Sequence, residues 1–367
     1  MQRRDLLRNF AISAGTATVV SACQNATNAP RVEADDLPKL NWKMATSWPK
    51  SLETIFGGAQ TVADRVGAMT GGKFTIECYQ ADEIVPGLQV LDAVENATVQ
   101  CGHTAGYYYA GKNPALNFAT GIPFGLNAAQ QNAWLYQGGG LELMQKVYGE
   151  FNIINFPAGN TGGQMGGWFK KEIKTVQDLQ GLKMRIPGFG GEVMSQLGVN
   201  VQVLPGGEIY LALERGAIDA AEWIGPYDDE KLGLNKAASY YYYPGWWEPG
   251  PSLDLIINLE AWAQLPPVYQ EIVKTAALES NINMLARYNS LNGEALKRLV
   301  DSGTTLAIYS DEIMAAAKKI TEDILTKNAA SSPQFKEIYA QWSQFKATVS
   351  NWNNINELSL ARFNSGQ

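Results

Sequence analysis

A regular alternation of strand-like and helix-like stretches between residues 40 and 104 most strongly limits what this chain can fold into. Strand-like runs occur at 40–45, 74–79 and 98–104, and helix-like runs start at about residue 51 and span 88–96. The first helix-like run has an apolar stripe at helical spacing from Ile55 to Val66 and stops at Gly71-Gly72. This β-α-β-α-β order is typical of an open α/β sheet with parallel strands.

A second alternating set follows between residues 151 and 224. We expect strands at 151–158, 164–170 and 220–224, with Arg185 on a further strand, and helices at about 175–179, 193–197 and 209–215. Two α/β units in one chain place a cleft between them, where small ligands usually bind. The predicted fold class is therefore α/β, with two open-sheet domains and a central cleft.

The rest of the chain is expected to join and extend these units. A strand at 253–259 should return to the first unit, a long helix at 267–298 should brace both, and a strand at 304–309 and helices at 312–324 and 334–363 complete the chain. The last helix has apolar residues on one side, namely Trp342, Phe345, Val349 and Trp352. This stripe either packs against the core or forms a homodimer contact.

The N-terminal segment has the features of an export signal. Arg3-Arg4 is a twin-arginine pair, and the uncharged stretch of 13 residues from Phe10 to Ala22 is too short to span a bilayer. Cys23 directly follows this stretch. It is either the lipidated first residue of a lipoprotein or part of an ordinary cleavage site. We expect a signal peptide at 1–22, a polar linker at 23–38 and a periplasmic protein, with a lipid anchor at Cys23 as the favoured alternative.

Charge narrows the range of partners. Removing residues 1–22, with three arginines and one aspartate, changes the net charge from −7 to −9. This acidity argues against nucleic acid and anionic membrane surfaces as partners. The folded part of about 330 residues is long enough for two domains.

Few residues are suited to covalent or acid–base catalysis. His103 is the single histidine, and no Ser-His-Asp set, paired-cysteine motif or phosphate loop is present. We therefore expect a structural histidine and no enzyme activity. Cys78 and Cys101 lie on strand-like runs that a third strand should separate, so we expect free, buried thiols.

Four segments near the predicted strand ends of the second unit carry candidate binding residues. They are GNTGGQMGGWF (159–169), GLKMRIPG (181–188), AAEWIGPYDD (220–229) and YPGWWEPGP (243–251). Arg185 offers a planar fork of N–H donors that matches a carboxylate, although a surface salt bridge is the usual role of an Arg. Gln164, Glu222 and Glu248 supply oxygen ligands, which suit a hard cation such as Na⁺, Ca²⁺ or Mg²⁺.

These segments resemble those of solute receptors of tripartite ATP-independent periplasmic (TRAP) transporters, in particular receptors that bind 2-oxoacids or lactate with a metal ion. The resemblance spans roughly residues 40 to 330 and depends mainly on QMGGWF and DAAEW. It implies that Gln164, Glu222 and the backbone oxygen of Trp223 hold Na⁺ or Ca²⁺, with Glu248 as a further ligand. The predicted ligand-contacting residues are Arg185, Gln164, Tyr107, Tyr108, Trp168, Phe189 and Trp223.

The predicted function is uptake of a small monocarboxylate such as pyruvate, delivered to TRAP membrane subunits. A 2-oxoacid can chelate a metal through a carboxylate oxygen and its keto oxygen, which leaves the other carboxylate face for Arg185. With Glu222 alone a monovalent cation balances the site, and with Glu248 added a divalent ion does so. Alternatives are a receptor for lactate, a sugar acid or an amino acid such as glutamate, whose ammonium would meet Glu222, and a metal-assisted lyase or hydrolase.

The resemblance also sets the expected domain boundaries. Domain I comprises 39–162 and 252–298, domain II comprises 163–251 and 299–330, and 331–367 is a C-terminal helical extension. The implied architecture is that of a periplasmic binding protein, in which hinge strands and the long bracing helix join the two domains.

Overall fold

The computed structural model describes residues 37–366, so the predictions for the signal peptide, for Cys23 and for most of the linker lie outside the described residues. The strands are β1 Leu40–Thr46, β2 Phe74–Tyr79, β3 Cys101–Thr104, β4 Ile153–Asn160, β5 Trp168–Phe169, β6 Lys183–Arg185, β7 Asn200–Gln202, β8 Ala220–Ala221, β9 Tyr240–Tyr243, β10 Ser252–Asn258 and β11 Thr305–Ile308.

Helices alternate with these strands. They are α1 Ile55–Met69, α2 Val90–Glu95, α3 Asn117–Thr120, α4 Ala128–Gln137, α5 Gly140–Gly149, α6 Gly188–Gln196, α7 Gly206–Glu214, α8 Pro226–Leu232, α9 Leu234–Ala237, α10 Leu259–Ala263, α11 Pro267–Asp301, α12 Asp311–Ser331, α13 Pro333–Asn353 and α14 Ser359–Ser365. No helix in the described part of the chain is both long and apolar enough to cross a membrane.

The first sheet has the strand order β2-β1-β3-β10-β4. Strand β1 is parallel to β2 and β3, as the alternating pattern predicts, and β10 is antiparallel to β3 and β4. The predicted return of residues 253–259 to this sheet is confirmed. Met44 pairs with Cys78 on one side and with Cys101 on the other, so β1 separates the two cysteines.

Both of these cysteines are free thiols, as predicted. Cys101 is fully buried, whereas Cys78 is only partly buried. Burial raises the pKa of the Cys78 thiol to about 12, so it stays protonated and unreactive at neutral pH.

The second sheet has the order β11-β9-β5-β8-β6-β7 and is less regular than predicted. The expected strand at 164–170 contains only Trp168 and Phe169, because Gly167 adopts a left-handed φ of 82° that interrupts an extended run. The expected strand at 220–224 contains only Ala220 and Ala221. Strand β9, a run of four tyrosines that pairs with β5 and β11, was not predicted.

Helices α3, α4 and α5 were not predicted either. They lie between the two sequence patterns and pack beside β4 and β10. Helix α4 begins with a capping box, in which Asn127 accepts from the backbone of Gln130 and the Gln130 side chain accepts from the Asn127 amide. That spacing is a recognisable start signal in the sequence.

The long helix α11 contacts strand β4 of the first sheet and helix α8 of the second unit, in agreement with its predicted bracing role. In its first half, Ser280 donates to the carbonyl of Ala158 at 2.6 Å. Further along, Tyr288 donates to Asp228 at 2.8 Å, and Asn292 accepts from the amide of Tyr227 at 3.1 Å. The chain from Lys39 onwards consequently forms one compact unit.

The C-terminal helical stripe divides into two parts. Trp342 is buried and its ring lies 5.7 Å from that of Phe118, which is core packing. Beyond it, the chain carries exposed apolar side chains before, within and after a π-helical turn at Asn354–Leu358, at Trp352, Ile355, Leu360 and Phe363. The predicted packing role therefore applies only to the first part of the helix.

Candidate functional site

The four candidate segments meet in the structure through backbone hydrogen bonds. The amide of Gln164 donates to the carbonyl of Glu248 at 3.2 Å, and the amide of Glu222 donates to the carbonyl of Arg185 at 3.2 Å. Gly245 lets the first pair approach, since a Cβ there would lie only 2.4 Å from the Gln164 carbonyl oxygen. Residues that are up to 84 positions apart in sequence thus form one cluster.

Arg185 is buried at the end of β6 and its guanidinium is surrounded by acceptors. It pairs with the Glu222 carboxylate and also donates to the Glu222 carbonyl at 3.0 Å and to the Leu204 carbonyl at 3.0 Å. The Tyr108 hydroxyl lies 3.5 Å away, and the guanidinium sits 5.2 Å from the ring centre of Trp223. This is a fixed, desolvated cation rather than the surface salt bridge that an Arg usually makes.

Three buried acceptor oxygens in the cluster have no hydrogen-bond partner. They are Oε1 of Gln164, Oε2 of Glu222 and Oε2 of Glu248. A buried oxygen without a partner costs about 1–3 kcal/mol, and more when it is charged, so three in one cluster need an explanation. Oxygen atoms of carboxylates and amides are the ligands that hard cations prefer, so the residues present fit such an ion.

The two carboxylates are electrostatically linked. Burial raises the pKa of Glu222 above its ordinary value, while the Arg185 charge opposes that rise. Burial also raises the pKa of Glu248, and the neighbouring Glu222 charge raises it further. One arginine cannot balance two ionised carboxylates, so a bound cation would favour their charged forms.

The cavity beside this cluster has a volume of only about 10 Å³. Its wall includes Trp48, Tyr107, Tyr108, Thr161, Gln164 and Trp223. A cavity of this size holds roughly one water molecule and is too small for an organic acid.

Three predicted contact residues do not line this cavity, namely Arg185, which lies in the buried cluster beside it, Trp168 and Phe189. Trp168 stacks on Tyr241 with ring centres 4.0 Å apart and donates its indole N–H to Asp229 at 2.9 Å. The ring of Phe189 packs 6.1 Å from that of Phe335. Both aromatic side chains pack behind the wall rather than in it.

Trp48 lines the cavity and was missed from the sequence. Its indole N–H donates to Nδ1 of His103 at 2.7 Å, and Nε2 of His103 lies 3.1 Å from the Ala158 carbonyl. Burial lowers the pKa of His103 to about 4, so the ring is neutral and structural, as predicted. Trp48 follows the carboxyl end of a central strand, the usual place for ligand contacts in an open sheet, which could have indicated it.

Larger grooves lie elsewhere but lack these residues. One groove of about 420 Å³ runs beside Tyr136, Phe156 and Leu278 and is mainly apolar. Within residues 37–366, no group of three or more His, Cys, Asp or Glu side chains is placed to hold a metal. The candidate cluster differs from such groups because it combines two carboxylates with a side-chain amide.

Two α/β sheets, a long helix that contacts β4 and α8, and a small cavity beside the cluster of buried Arg185 form the architecture of a solute-binding protein. Residues 44–332 match the family model of bacterial extracellular solute-binding proteins, family 7. The chain belongs to this family.

Close relatives extend over the whole chain. A monocarboxylate 2-oxoacid-binding periplasmic protein of Nostoc sp. (strain PCC 7120) is 64% identical over 365 residues, covering 100% of this chain and 99% of the relative. A TRAP transporter solute-binding protein of Bordetella bronchiseptica RB50, a mixed-occupancy dimer with calcium and picolinate in one site, is 48% identical with a TM-score of 0.88. That match covers 90% of this chain and 98% of the other.

A third relative carries a different cation. A TRAP periplasmic solute-binding protein of Pseudoalteromonas atlantica T6c, solved with sodium and pyruvate, is 38% identical with a TM-score of 0.85, covering 88% of this chain and 99% of the other. These findings confirm the predicted TRAP receptor class, the two-sheet binding-protein fold and the periplasmic setting. Membership of this family makes the protein a transport receptor rather than an enzyme.

Proposed function

We propose that the protein captures a small 2-oxoacid such as pyruvate together with Na⁺ or Ca²⁺ and delivers it to TRAP membrane subunits. The observation that carries this proposal is the set of three unpartnered buried oxygens, from Gln164, Glu222 and Glu248, beside buried Arg185. The ligands named for the relatives from Nostoc, Bordetella and Pseudoalteromonas support the same chemistry.

In the proposed site, Gln164, Glu222, the Trp223 carbonyl and Glu248 hold the cation. When bound, the cation would supply a positive centre for the keto oxygen and one carboxylate oxygen of the ligand. Arg185 would bind the other carboxylate face, which its planar fork matches. Tyr107, Tyr108 and Trp223 line the small cavity and would exclude water and long ligand tails. We assign no ligand contact to Trp168 and Phe189.

Arg185 already pairs with Glu222, so ligand entry requires an exchange of partners. The ligand carboxylate would take over donors of the guanidinium while the cation takes over Glu222. Charge balance then links the choice of ion to Glu248, because Na⁺ balances one carboxylate beside the ligand and Ca²⁺ balances two. We therefore expect Glu248 to determine the preference for a divalent ion.

Closure would bring the two α/β domains together over the ligand, with the proposed boundaries 39–162 and 252–298 for domain I and 163–251 and 299–330 for domain II. Ligand binding favours the closed state because only that state completes the contacts. We further propose export by the twin-arginine signal at 1–22, lipidation at Cys23 and a homodimer through the C-terminal extension. The exposed side chains of Trp352, Ile355, Leu360 and Phe363 support the last point.

Thermal unfolding of the folded domain tests the site. Pyruvate, 2-oxobutyrate, lactate, glutamate and succinate are each added with Na⁺, with Ca²⁺ and after chelation. A ligand that binds only the folded state raises the midpoint by mass action. We expect a cation-dependent rise with pyruvate that is lost in Arg185→Ala. A rise with glutamate or succinate alone, indifferent to cations, would contradict the proposed site.

A further inference from the structure

Asp229, on helix α8, is a buried carboxylate that the proposed site does not use. Only 1% of its surface is exposed. Its Oδ2 accepts the indole N–H of Trp168 at 2.9 Å and the hydroxyl of Tyr241 at 2.7 Å. Its Oδ1 accepts the backbone amides of Ile224 and Gly225, both at 3.2 Å. Four donors from three separate segments therefore converge on one side chain.

This carboxylate has no cationic partner among the ion pairs of residues 37–366. Burying an acidic side chain without a countercharge is costly, and replacement by an apolar residue is often neutral or stabilising. Its neutral donors hold it firmly but do not explain why an acid is needed. One of the two backbone amides that it binds belongs to a peptide of the proposed cation site, and this offers an explanation.

The amide of Ile224 shares a peptide plane with the carbonyl of Trp223, the backbone oxygen assigned to the cation. A trans peptide is rigid and its N–H and C=O groups point in opposite directions. Fixing the Ile224 N–H on Asp229 therefore aims the Trp223 carbonyl away from Asp229. The same bond polarises the peptide and makes that oxygen a better ligand.

The anchor of Asp229 is itself rigid. Trp168 and Tyr241 lie opposite each other on paired strands β5 and β9, with their rings stacked. Neither side chain is exposed, so the carboxylate cannot change its position without disturbing the sheet.

We propose that Asp229 is a positioning residue for the cation site. Trp168 and Tyr241 hold its carboxylate, which in turn orients the peptide that presents the Trp223 carbonyl. This inference rests on the proposed function, because it concerns an oxygen of the same site. It assigns Trp168 a structural part in binding, through Asp229, in place of a ligand contact.

The test is calorimetric titration of pyruvate into the folded protein over a series of Ca²⁺ and Na⁺ concentrations. Asp229→Asn keeps the size of the side chain and one acceptor oxygen but removes the charge. Tyr241→Phe keeps the charge but removes one of its two anchors. We expect the cation concentration at half-saturation to rise roughly 10- to 100-fold in Asp229→Asn, the range seen for groups that orient metal ligands, and by a smaller factor in Tyr241→Phe.

Asp254→Asn is the matched control. Asp254 on β10 is likewise a buried acid held by neutral donors, since it accepts from Tyr148 and from Asn155, both at 2.9 Å, and it makes no bond to the site peptide. We expect its cation half-saturation to stay within about twofold of the wild type even if it unfolds at a lower temperature, since Asp229 and not Asp254 holds the Ile224 amide.

Each outcome bears on a different statement. If wild-type pyruvate binding does not depend on a cation, the proposed function fails and this inference fails with it. If wild-type binding depends on the cation but Asp229→Asn leaves the cation half-saturation unchanged, only the positioning role fails. Should Asp229→Asn not fold, an unchanged half-saturation in Tyr241→Phe has the same meaning. A shift in Asp229→Asn with none in Tyr241→Phe would show that the charge acts through its field alone and would overturn positioning.

Discussion

The two sheets use their polar backbone groups in different ways. Strands β4 and β10 of the first sheet have eight and seven residues, and their ladder is nearly continuous. Strands β5 and β8 of the second sheet have two residues each, and side chains bond backbone groups that strand pairing leaves without a partner. The first sheet is stabilised by regular strand pairing and an apolar core. The second sheet has less strand pairing, which leaves backbone and polar groups available near the cavity.

This difference predicts a separation of effects. Changes in the first sheet away from the cavity-lining Leu253 should reduce stability and leave the affinity of the folded protein unchanged. Changes in the second sheet near the cavity should reduce affinity, and where they also remove a buried partner they should reduce stability too.

The largest expected effect is that of Arg185→Ala in the second sheet. It removes the ligand donor and leaves the Glu222 carboxylate buried without its partner. Breaking a buried ion pair typically costs about 3–5 kcal/mol of stability. We also expect ligand affinity to fall at least roughly 100-fold, since about 2.7 kcal/mol of binding is a modest value for a buried charge-assisted contact. Calorimetry and chemical unfolding measure the two effects.

Arg65→Ala is the control for this change. Arg65 pairs with Glu279 at 2.7 Å on the surface, with both side chains substantially exposed. An exposed pair contributes about 0–1 kcal/mol, so both stability and affinity should stay near the wild-type values. Equal losses in the two variants would contradict a special role for the buried pair.

The second effect concerns the first sheet alone. Phe74 on β2 is fully buried between Trp42 and Tyr269, with ring centres 4.9 and 5.3 Å away. Phe74→Ala should cost about 3–5 kcal/mol, because a large cavity replaces the ring. Urea unfolding gives the loss, and titration below the unfolding transition should show unchanged pyruvate affinity. A comparable loss of affinity would mean that the two sheets are not independent.

The same contrast explains which features could be read from the sequence. The first sheet was predictable because strands and helices of ordinary length show their periodicity. A strand of two residues has no period to detect, so β5 and β8 could not be delimited. Arg185 and Glu222 were recognisable as a cluster because the motifs around them are specific. Asp229 was not, because the acidic run at 228–230 has the appearance of a solvated helix face.

The cavity wall was predictable only in part. Tyr107 and Tyr108 could be named because they follow the third strand of a recognisable unit. Trp48 follows the first strand in the same way and was missed, whereas Thr161 is recognisable as a wall residue only in the structure. Conversely, Trp168 is part of a specific motif, but its side chain donates to Asp229 and does not line the cavity. No local sequence pattern distinguishes a residue in the cavity wall from one that packs behind it.

The third effect is a pH dependence that arises in the first sheet at His103. Burial lowers its pKa to about 4, below the ordinary value of 6.5, so the unfolded chain takes up a proton before the folded one does. Its contribution to stability is therefore complete above pH 6.5 and is lost as the pH falls towards 4. The loss over this window is about 3 kcal/mol.

His103→Gln isolates this term from other titrating groups. Gln offers an acceptor for the Trp48 indole and a donor for the Ala158 carbonyl, but it does not titrate. The difference in unfolding free energy between wild type and variant should shrink by about 3 kcal/mol between pH 6.5 and 4. Parallel pH profiles for the two proteins would contradict a neutral, buried imidazole.

The smallest effect is expected at the boundary between the two regions, where Tyr108 from the first half of the chain meets Arg185 of the second sheet. The hydroxyl lies 3.5 Å from Nη2, at the outer limit of a hydrogen bond, so Tyr108→Phe removes little while the ring still lines the cavity. We expect pyruvate affinity to fall about 2- to 10-fold, the range for one ordinary hydrogen bond. Tyr210→Phe, which loses a bond to exposed Glu214, should change nothing in calorimetry. A loss in Tyr108→Phe as large as that in Arg185→Ala would mean that the hydroxyl binds the ligand directly, and the separation of the two regions would then not hold at the cavity itself.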